Sequence, residues 1–164
     1  MPEKTPTKTS GLAAELGMQS PFRLPEREVF LNLARTFSEL NHDMDQFFKP
    51  YGITPVQYNA LRILRGHGKP VSVYQIGEQM VTRQPDLPRL VDRLVAMELA
   101  TKRRCQNDRR VMWVSLTPKG RALLKKIDKP LDRLHQDQLS HLAPEQLQQL
   151  SVLLCLARKP GTDP

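Results

Sequence analysis

The sequence predicts a mainly α-helical protein with one small β-hairpin. Over most of residues 25–158, apolar side chains recur at steps of three and four, the period of one buried helix face. Residues 111–116 instead alternate with a period of two, as a half-buried strand does. The pairs Thr54-Pro55 and Thr117-Pro118 are a capping residue followed by proline at the first helical position. Together these patterns predict helices on both sides of a hairpin.

Composition and charge narrow the class of protein. A chain of 164 residues is long enough for a hydrophobic core without disulfides or a metal. Its 25 Lys and Arg against 17 Asp and Glu give a net charge of +8, which favours a polyanionic partner such as nucleic acid or an anionic membrane. Residues 81–121 hold ten Lys or Arg and four Asp or Glu, so most of this excess lies in a quarter of the chain.

Breaks in the pattern divide the chain into five segments. Residues 1–24 are predicted to be a flexible arm, with one short turn near Leu12–Leu16, and residues 159–164 a flexible tail. The three segments between them are an N-terminal helix (25–53), a module of helices and hairpin (54–117) and two C-terminal helices (118–158). The terminal helices are more apolar than the module needs, which favours dimerisation, although a single larger core would also bury this surplus.

The order of elements within residues 54–117 predicts a winged helix-turn-helix. Ser72 caps a predicted helix at Val73–Met80, and a second helix follows with Pro85 as its first residue and Pro88 in its first turn. Strands at 101–104 and 111–116 then form the hairpin, with a basic tip. After the module, a long helix from Pro118 to Leu142 with a bend at Pro130, and a last helix from Pro144, are expected.

A helix-turn-helix reads DNA by placing its second helix in the major groove. Arginine can bond guanine bidentately, glutamine can bond adenine, and leucine can touch a thymine methyl. In the wing, arginines can enter the minor groove or bind phosphates. The candidate DNA contacts are Ser72, Arg83, Gln84, Asp86, Leu87 and Arg89 in the helix-turn-helix, and Arg103, Arg104, Arg109 and Arg110 in the wing. Asp108 is expected to pair with Arg93 or Arg110 and so fix the wing.

The stretch QPDLPRLVDRLVAMELATKRRCQNDRRVMWVSLTPKG closely resembles the core of the MarR family of bacterial regulators. The matching motifs are the run Pro88–Leu94, the wing residues Asp108-Arg109-Arg110, and Leu116-Thr117-Pro118-Lys119-Gly120. The upstream GITPVQYNALRIL resembles the family's second helix, and together the matches cover about residues 28–157.

This resemblance implies a homodimer with interlocking terminal helices, acting in the bacterial cytoplasm on a palindromic operator in double-stranded DNA. Repression relieved by a small aromatic or phenolic effector is also implied. Candidate lining residues lie between Phe30 and Phe48, with ordinary core packing as the alternative for each. By position, Arg110 resembles the family's minor-groove arginine, and Asp92 and Asp108 resemble the acidic residues that brace helix and wing. Three departures stand out: Pro88 replaces a hydroxyl residue, Glu98 replaces glycine, and the tip Cys105-Gln106-Asn107 lacks proline.

Other classes of site find little support. No nucleophile–base spacing, phosphate loop or metal cluster is visible, so we expect no enzyme, catalytic residue, cofactor or metal site. No apolar run reaches the roughly 18–20 residues that cross a bilayer, no secretory signal is visible, and no membrane partner is expected. Cys105 lies among basic residues, whose charge would favour the thiolate and so lower the pKa of its thiol; it is a redox candidate, weighed against an ordinary wing thiol. Cys155 is expected in the core or an interface. The alternative function is a winged-helix module that binds a protein and no DNA.

Overall fold

The structure, a computed structural model, describes residues 11–108 and 110–158 in two compact units, residues 11–52 and 53–158. The first unit consists of α1 (Leu12–Glu15), α2 (Pro25–Phe48) and a 3-10 turn (Lys49–Tyr51). Leu12 and Ala13 are buried, and Arg35 of α2 forms an ion pair with Glu15 of α1. The predicted turn near Leu12–Leu16 is therefore α1, while residues 1–10 and 159–164, predicted to be flexible, lie outside the described residues.

The second unit follows the predicted order of helices and hairpin. Its elements are α3 (Pro55–His67), β1 (Val71–Ser72), α4 (Val73–Gln79), α5 (Leu87–Ala96), β2 (Ala100–Arg104), β3 (Met112–Leu116), α6 (Pro118–Leu139) and α7 (Pro144–Ala157). Helix α6 continues through Pro130 but ends at Leu139, three residues before the predicted Leu142. It ends there because the N–H groups of Ser140 and Leu142 turn back to the carbonyls of Asp137 and Leu139, just ahead of Pro144.

The hairpin is part of a three-stranded antiparallel sheet in the order β1-β3-β2. Val71 of β1 pairs with Val114 of β3, and Lys102 of β2 pairs with the same residue from the other side. Strand β1 was not predicted, because two residues are too few to show an alternating pattern. It anchors the hairpin to the start of α4.

Side-chain caps explain why the helices begin where they do. Thr54 and Ser72 form capping boxes, each accepting the N–H of the glutamine three residues later, Gln57 or Gln75, at 3.2 and 3.1 Å. The Thr117 hydroxyl accepts the N–H of Gly120 at 3.0 Å at the start of α6. All three predicted caps are confirmed.

One core joins the helices α3 to α6 and the sheet of the second unit. Its largest fully buried side chains include Leu61, Leu64, Ile76, Leu94, Val114, Leu124 and Ile127. A bidentate ion pair supplements this packing, because both Arg65 amino groups of α3 donate to the Asp128 carboxylate of α6 at 2.8 and 2.9 Å. Helix α6 is thereby fixed against α3.

A close backbone contact fixes α6 relative to the end of α5. A Cβ at Gly120 would lie 2.3 Å from the Leu99 carbonyl oxygen, so only glycine fits. The same oxygen accepts the Thr117 N–H at 3.2 Å, and the Thr117 hydroxyl donates to the Glu98 carbonyl at 2.8 Å. The glycine of the Leu-Thr-Pro-Lys-Gly motif is therefore a packing requirement.

Glu98 ends the turn after α5 with a φ of 60°, in the left-handed region that favours glycine. The turn therefore forms without glycine at this position, and Glu98 adopts a strained backbone conformation. The Glu98 carboxylate accepts a bond from Lys119 at 2.7 Å, which lowers the pKa of that carboxyl. Both side chains are exposed, so this pair does little to offset the strain.

We expect Glu98→Gly to raise the free energy of unfolding by about 1 kcal/mol, because glycine adopts this conformation without steric penalty. Urea unfolding of the two proteins measures the difference. Glu98→Ala is the matched control: it removes the same carboxylate but keeps a Cβ, so it should not stabilise. Equal stabilisation by both variants would show that the carboxylate, and not the backbone, is the source of strain.

The terminal helices carry apolar side chains that the described chain leaves exposed. On α2 they include Phe30 and Phe37, which are 68% and 61% exposed, and on α7 Leu153 and Leu156, which are 55% and 63% exposed. A single core therefore does not bury the surplus apolar surface, and Cys155, also exposed, is not a core residue. Within residues 11–108 and 110–158, none of the helices combines the length and apolarity that a bilayer-spanning segment requires.

Candidate nucleic-acid interface

The second helix of the helix-turn-helix begins two residues later than predicted. Asp86 is its N-cap, with the carboxylate accepting the Arg89 N–H at 3.1 Å, and Leu87 is the first helical residue. Pro85 therefore precedes the helix, because the aspartate supplies the cap that a proline cannot. Pro88 lies in the first turn, as predicted.

Leu87, one of the candidate DNA contacts, is buried. Its side chain is 8% exposed, and its Cδ2 lies 3.1 Å from where a Cβ of Gly77 in α4 would be. Leu87 stands three and seven positions before Leu90 and Leu94, so all three lie on the same buried face of α5. The proposed contact between Leu87 and a thymine methyl is therefore wrong.

Arg83 and Gln84 lie in the segment that precedes α5, and Arg89 lies in its first turn. The Gln84 amide group donates to the Thr82 carbonyl and hydroxyl at 3.3 and 2.9 Å. Its Oε1 remains as an acceptor, so the predicted bidentate bond to adenine requires Gln84 to leave Thr82. Ser72 likewise uses its hydroxyl to cap α4.

The wing loop is closed by local hydrogen bonds. The Asp108 carboxylate accepts the Arg110 N–H at 2.9 Å, and its carbonyl accepts the Val111 N–H at 3.0 Å. Asp108 was expected to pair with a basic side chain, Arg93 or Arg110. Over the described part of the chain it makes neither ion pair, because a local turn uses the carboxylate first.

A brace between α5 and the wing is formed by Asp92 and Lys102, which make an ion pair. Lys102 lies on β2 beside Arg103. The ion pair therefore ties α5, the second helix of the helix-turn-helix, to the first strand of the wing. Arg93 is exposed on α5. The bracing role of Asp92 thus has a partner in the structure, while that of Arg93 stays a prediction.

Cys105 begins the turn of the wing and is partly exposed. A hydrogen bond from the Trp113 side chain, followed by backbone bonds from Asp108 and Asn107, lowers the pKa of its thiol. The direction agrees with the sequence prediction, but the cause is these neutral donors in place of nearby basic side chains. Whether the thiol takes part in redox chemistry stays a prediction.

In the candidate interface, three carboxylates are bonded within the fold, whereas the arginine side chains described below have no bonding partner among the described residues. Asp86 caps α5, Asp92 pairs with Lys102 and Asp108 closes the wing loop. The five described arginines that the sequence predicts to contact DNA are all exposed, and their side chains make no ion pair or hydrogen bond with any described residue: Arg83, Arg89, Arg103, Arg104 and Arg110. Arg109, also predicted to bind DNA, lies outside the described residues.

Asn59 supports the candidate interface from behind, and sequence patterns did not identify it. Its Oδ1 accepts the Val81 N–H at 3.0 Å and thus ties the segment before α5 to α3. An asparagine inside an amphipathic helix has no local pattern that announces such a bond. Only the fold brings residues 22 positions apart into contact.

Known proteins resemble this chain over most of its length. The model of the MarR family matches residues 51–111. The transcriptional repressor MdtR of Bacillus subtilis is 28% identical over 137 residues, which are 83% of this chain and 88% of the relative.

Two solved structures extend the likeness to the fold. A MarR transcription factor from Planctomyces limnophilus is 34% identical with a TM-score of 0.65, over 83% of this chain and 99% of its own. BpsR of Bordetella bronchiseptica, whose DNA binding is regulated by 6-hydroxynicotinic acid, is 24% identical with a TM-score of 0.73, over 80% and 99%. The chain therefore belongs to the MarR family of winged helix-turn-helix transcriptional regulators, and is a regulator and not an enzyme.

Proposed function

We propose that this chain is a homodimeric repressor that binds a palindromic operator and releases it when a small aromatic or phenolic effector binds. The observation that carries the DNA-binding role is the division of charge in the helix-turn-helix and wing. Every carboxylate among Asp86, Asp92 and Asp108 is engaged within the fold, which leaves the exposed arginines available for phosphates and base edges.

Dimerisation is supported by the exposed apolar side chains of α2 and α7. Isolated exposed apolar residues are common, but Phe30, Leu33 and Phe37 recur along one face of α2. A second copy of the chain would cover such a face, in a two-fold symmetric contact. A two-fold dimer presents two recognition helices, and these match a DNA site that is an inverted repeat.

Selection of bound DNA from a random duplex pool tests the proposal. We expect an inverted repeat whose half-sites lie about one helical turn, roughly 34–36 Å, apart. Recovery of a single unrepeated half-site would contradict the dimeric operator. If no sequence is enriched, the chain is not a sequence-specific regulator, and the alternative of a protein-binding winged helix gains support.

The effector part of the proposal rests on family membership and on the regulation of BpsR by 6-hydroxynicotinic acid. Aromatic and phenolic acids, including 6-hydroxynicotinic acid, should be titrated into the complex of protein and selected duplex. Release of DNA by at least one compound is expected. The residual DNA affinity of Arg110→Ala should respond to the same compounds in the same way. Arg110 lies in the wing and not among the candidate effector-lining residues between Phe30 and Phe48.

We expect Arg110→Ala to weaken binding to the selected duplex by about tenfold and to reduce its dependence on salt. The arginine is exposed beside the closed wing turn, where it can release counterions from the DNA. Fluorescence anisotropy at several salt concentrations measures both effects. Arg23→Ala, which removes an exposed arginine of the first unit, is the matched control and should change little. Unchanged DNA affinity of Arg110→Ala would indicate that the wing does not contact DNA.

A further inference from the structure

The segment between the two helices of the helix-turn-helix, residues 81–86, contains Arg83 and Gln84. Hydrogen bonds fix its shape at three places: from Val81 N–H to Asn59, from the Gln84 amide to the carbonyl and hydroxyl of Thr82, and from Arg89 N–H to the Asp86 cap of α5. The last two are local to the segment and its own helix. Among hydrogen bonds between described residues, the bond to Asn59 alone connects this segment to a helix other than α5.

Helix α3, which carries Asn59, is bonded to the chain on both sides of α5, to Val81 before it and to Met97 after it. Two residues before Asn59, the buried Gln57 directs its amide to the Met97 sulfur at 3.8 Å, just beyond the C-terminal end of α5. At the other end of α3, Arg65 is held by Asp128 of α6. Helix α3 is therefore fixed in position at both ends. Its Asn59 side chain holds the start of the segment 81–86.

We propose that Asn59 is a positioning residue that sets the base preference of the protein without touching DNA. The proposal rests on the proposed DNA-binding function. Base contacts by Arg83 and Gln84 require side chains held to within about half an ångström and 10–20° of the bonding geometry. The bond from Val81 N–H to Asn59 supplies this restraint at the point where the chain enters the segment.

Loss of the bond between Val81 and Asn59 should affect the sequence specificity of DNA binding far more than the stability of the fold. The Val81 side chain is 79% exposed, so water can replace Asn59 as the acceptor for its N–H. The buried packing of Leu87, Leu90 and Leu94 would still hold α5 on the core. Phosphate contacts from the wing do not pass through this segment, so affinity for DNA of any sequence should persist.

The test compares full-length wild type with Asn59→Leu, which has similar size and no acceptor, and with Asn59→Asp, which keeps an acceptor oxygen. Each protein is used to select DNA from the same random pool. Its affinities for the wild-type selected duplex and for a scrambled duplex are then measured, together with its thermal midpoint. Asn32→Leu is the matched control, because the Asn32 amide donates to the Glu28 carbonyl of its own helix α2.

We expect Asn59→Leu to lower the ratio of specific to scrambled affinity about tenfold, with loss of preference at the bases read by Arg83 and Gln84. The thermal midpoint and the affinity for scrambled DNA should stay close to wild type. Asn59→Asp should largely restore the ratio, because its added charge weakens both affinities together.

A wild-type preference in Asn59→Leu would overturn the positioning role, as would an equal loss of affinity for both duplexes. If Asn59→Leu does not fold, Asn59→Ala gives the same comparison with a smaller change. Failure of wild type itself to select any sequence would instead overturn the proposed function, so the two failures are distinguishable.

Discussion

Gly120→Ala should lower the free energy of unfolding by about 3 kcal/mol, the largest effect we expect of any single substitution in the second unit. The added Cβ would lie 2.3 Å from the Leu99 carbonyl oxygen and 2.8 Å from Leu116 Cδ1. The Leu99 backbone cannot move aside freely, because its N–H donates to the Leu94 carbonyl at 2.9 Å and its oxygen accepts from Thr117. Relief therefore requires the start of α6 to shift away from the end of α5.

Chemical unfolding of the purified variant measures this loss. Gly66→Ala is the matched control: a Cβ added at Gly66, in α3, would have no neighbouring atom within 4 Å, so alanine should stabilise by about 0.5–1 kcal/mol. Opposite signs for the two glycines are the expected outcome. A Gly120→Ala variant as stable as wild type would mean that the junction of Leu99 and Gly120 is looser than the structure shows.

Phe37→Glu should weaken self-association by about a hundredfold. The Phe37 side chain is 61% exposed in the single chain, and in the proposed dimer it would be covered by the partner. A glutamate there removes an aromatic anchor and places an unpaired charge in the contact. Operator affinity should fall with it, because a single protomer engages only one half-site.

Analytical ultracentrifugation over a range of protein concentrations measures the association constant. Gln46→Glu adds the same charge nine residues further along α2, about two and a half turns away and hence on the opposite side of the helix. We expect this control to associate like wild type. Monomeric wild type at all concentrations, or equal weakening by both variants, would contradict a dimer contact through the Phe30–Phe37 face.

The fold could be predicted from the sequence because its signals are local. Thr54, Ser72 and Thr117 cap helices within three residues of their own position, and the alternation at 111–116 marks β3. The strand β1 could not be predicted, since its two residues become a strand only by pairing with β3. The end of α6 was predicted three residues late because apolar spacing continues past the turn that closes the helix.

The interface was predicted less completely because its geometry depends on contacts distant in sequence. Leu87 was predicted to contact DNA because leucine can touch a thymine methyl, but its spacing from Leu90 and Leu94 places it on the buried face of α5. The ion pair of Asp92 with Lys102 and the bond of Asn59 with Val81 join residues 10 and 22 positions apart. No pattern in either local sequence identifies these partners before the fold is known.

The dependence of DNA binding on salt tests the central claim most directly, because it measures whether the exposed arginines meet phosphates. Binding of wild type to the selected duplex should be followed between about 50 and 200 mM salt. We predict that the association constant falls by on the order of a thousandfold over this range, with a shallower slope for Arg110→Ala. An association constant that does not change with salt would contradict phosphate binding by these arginines.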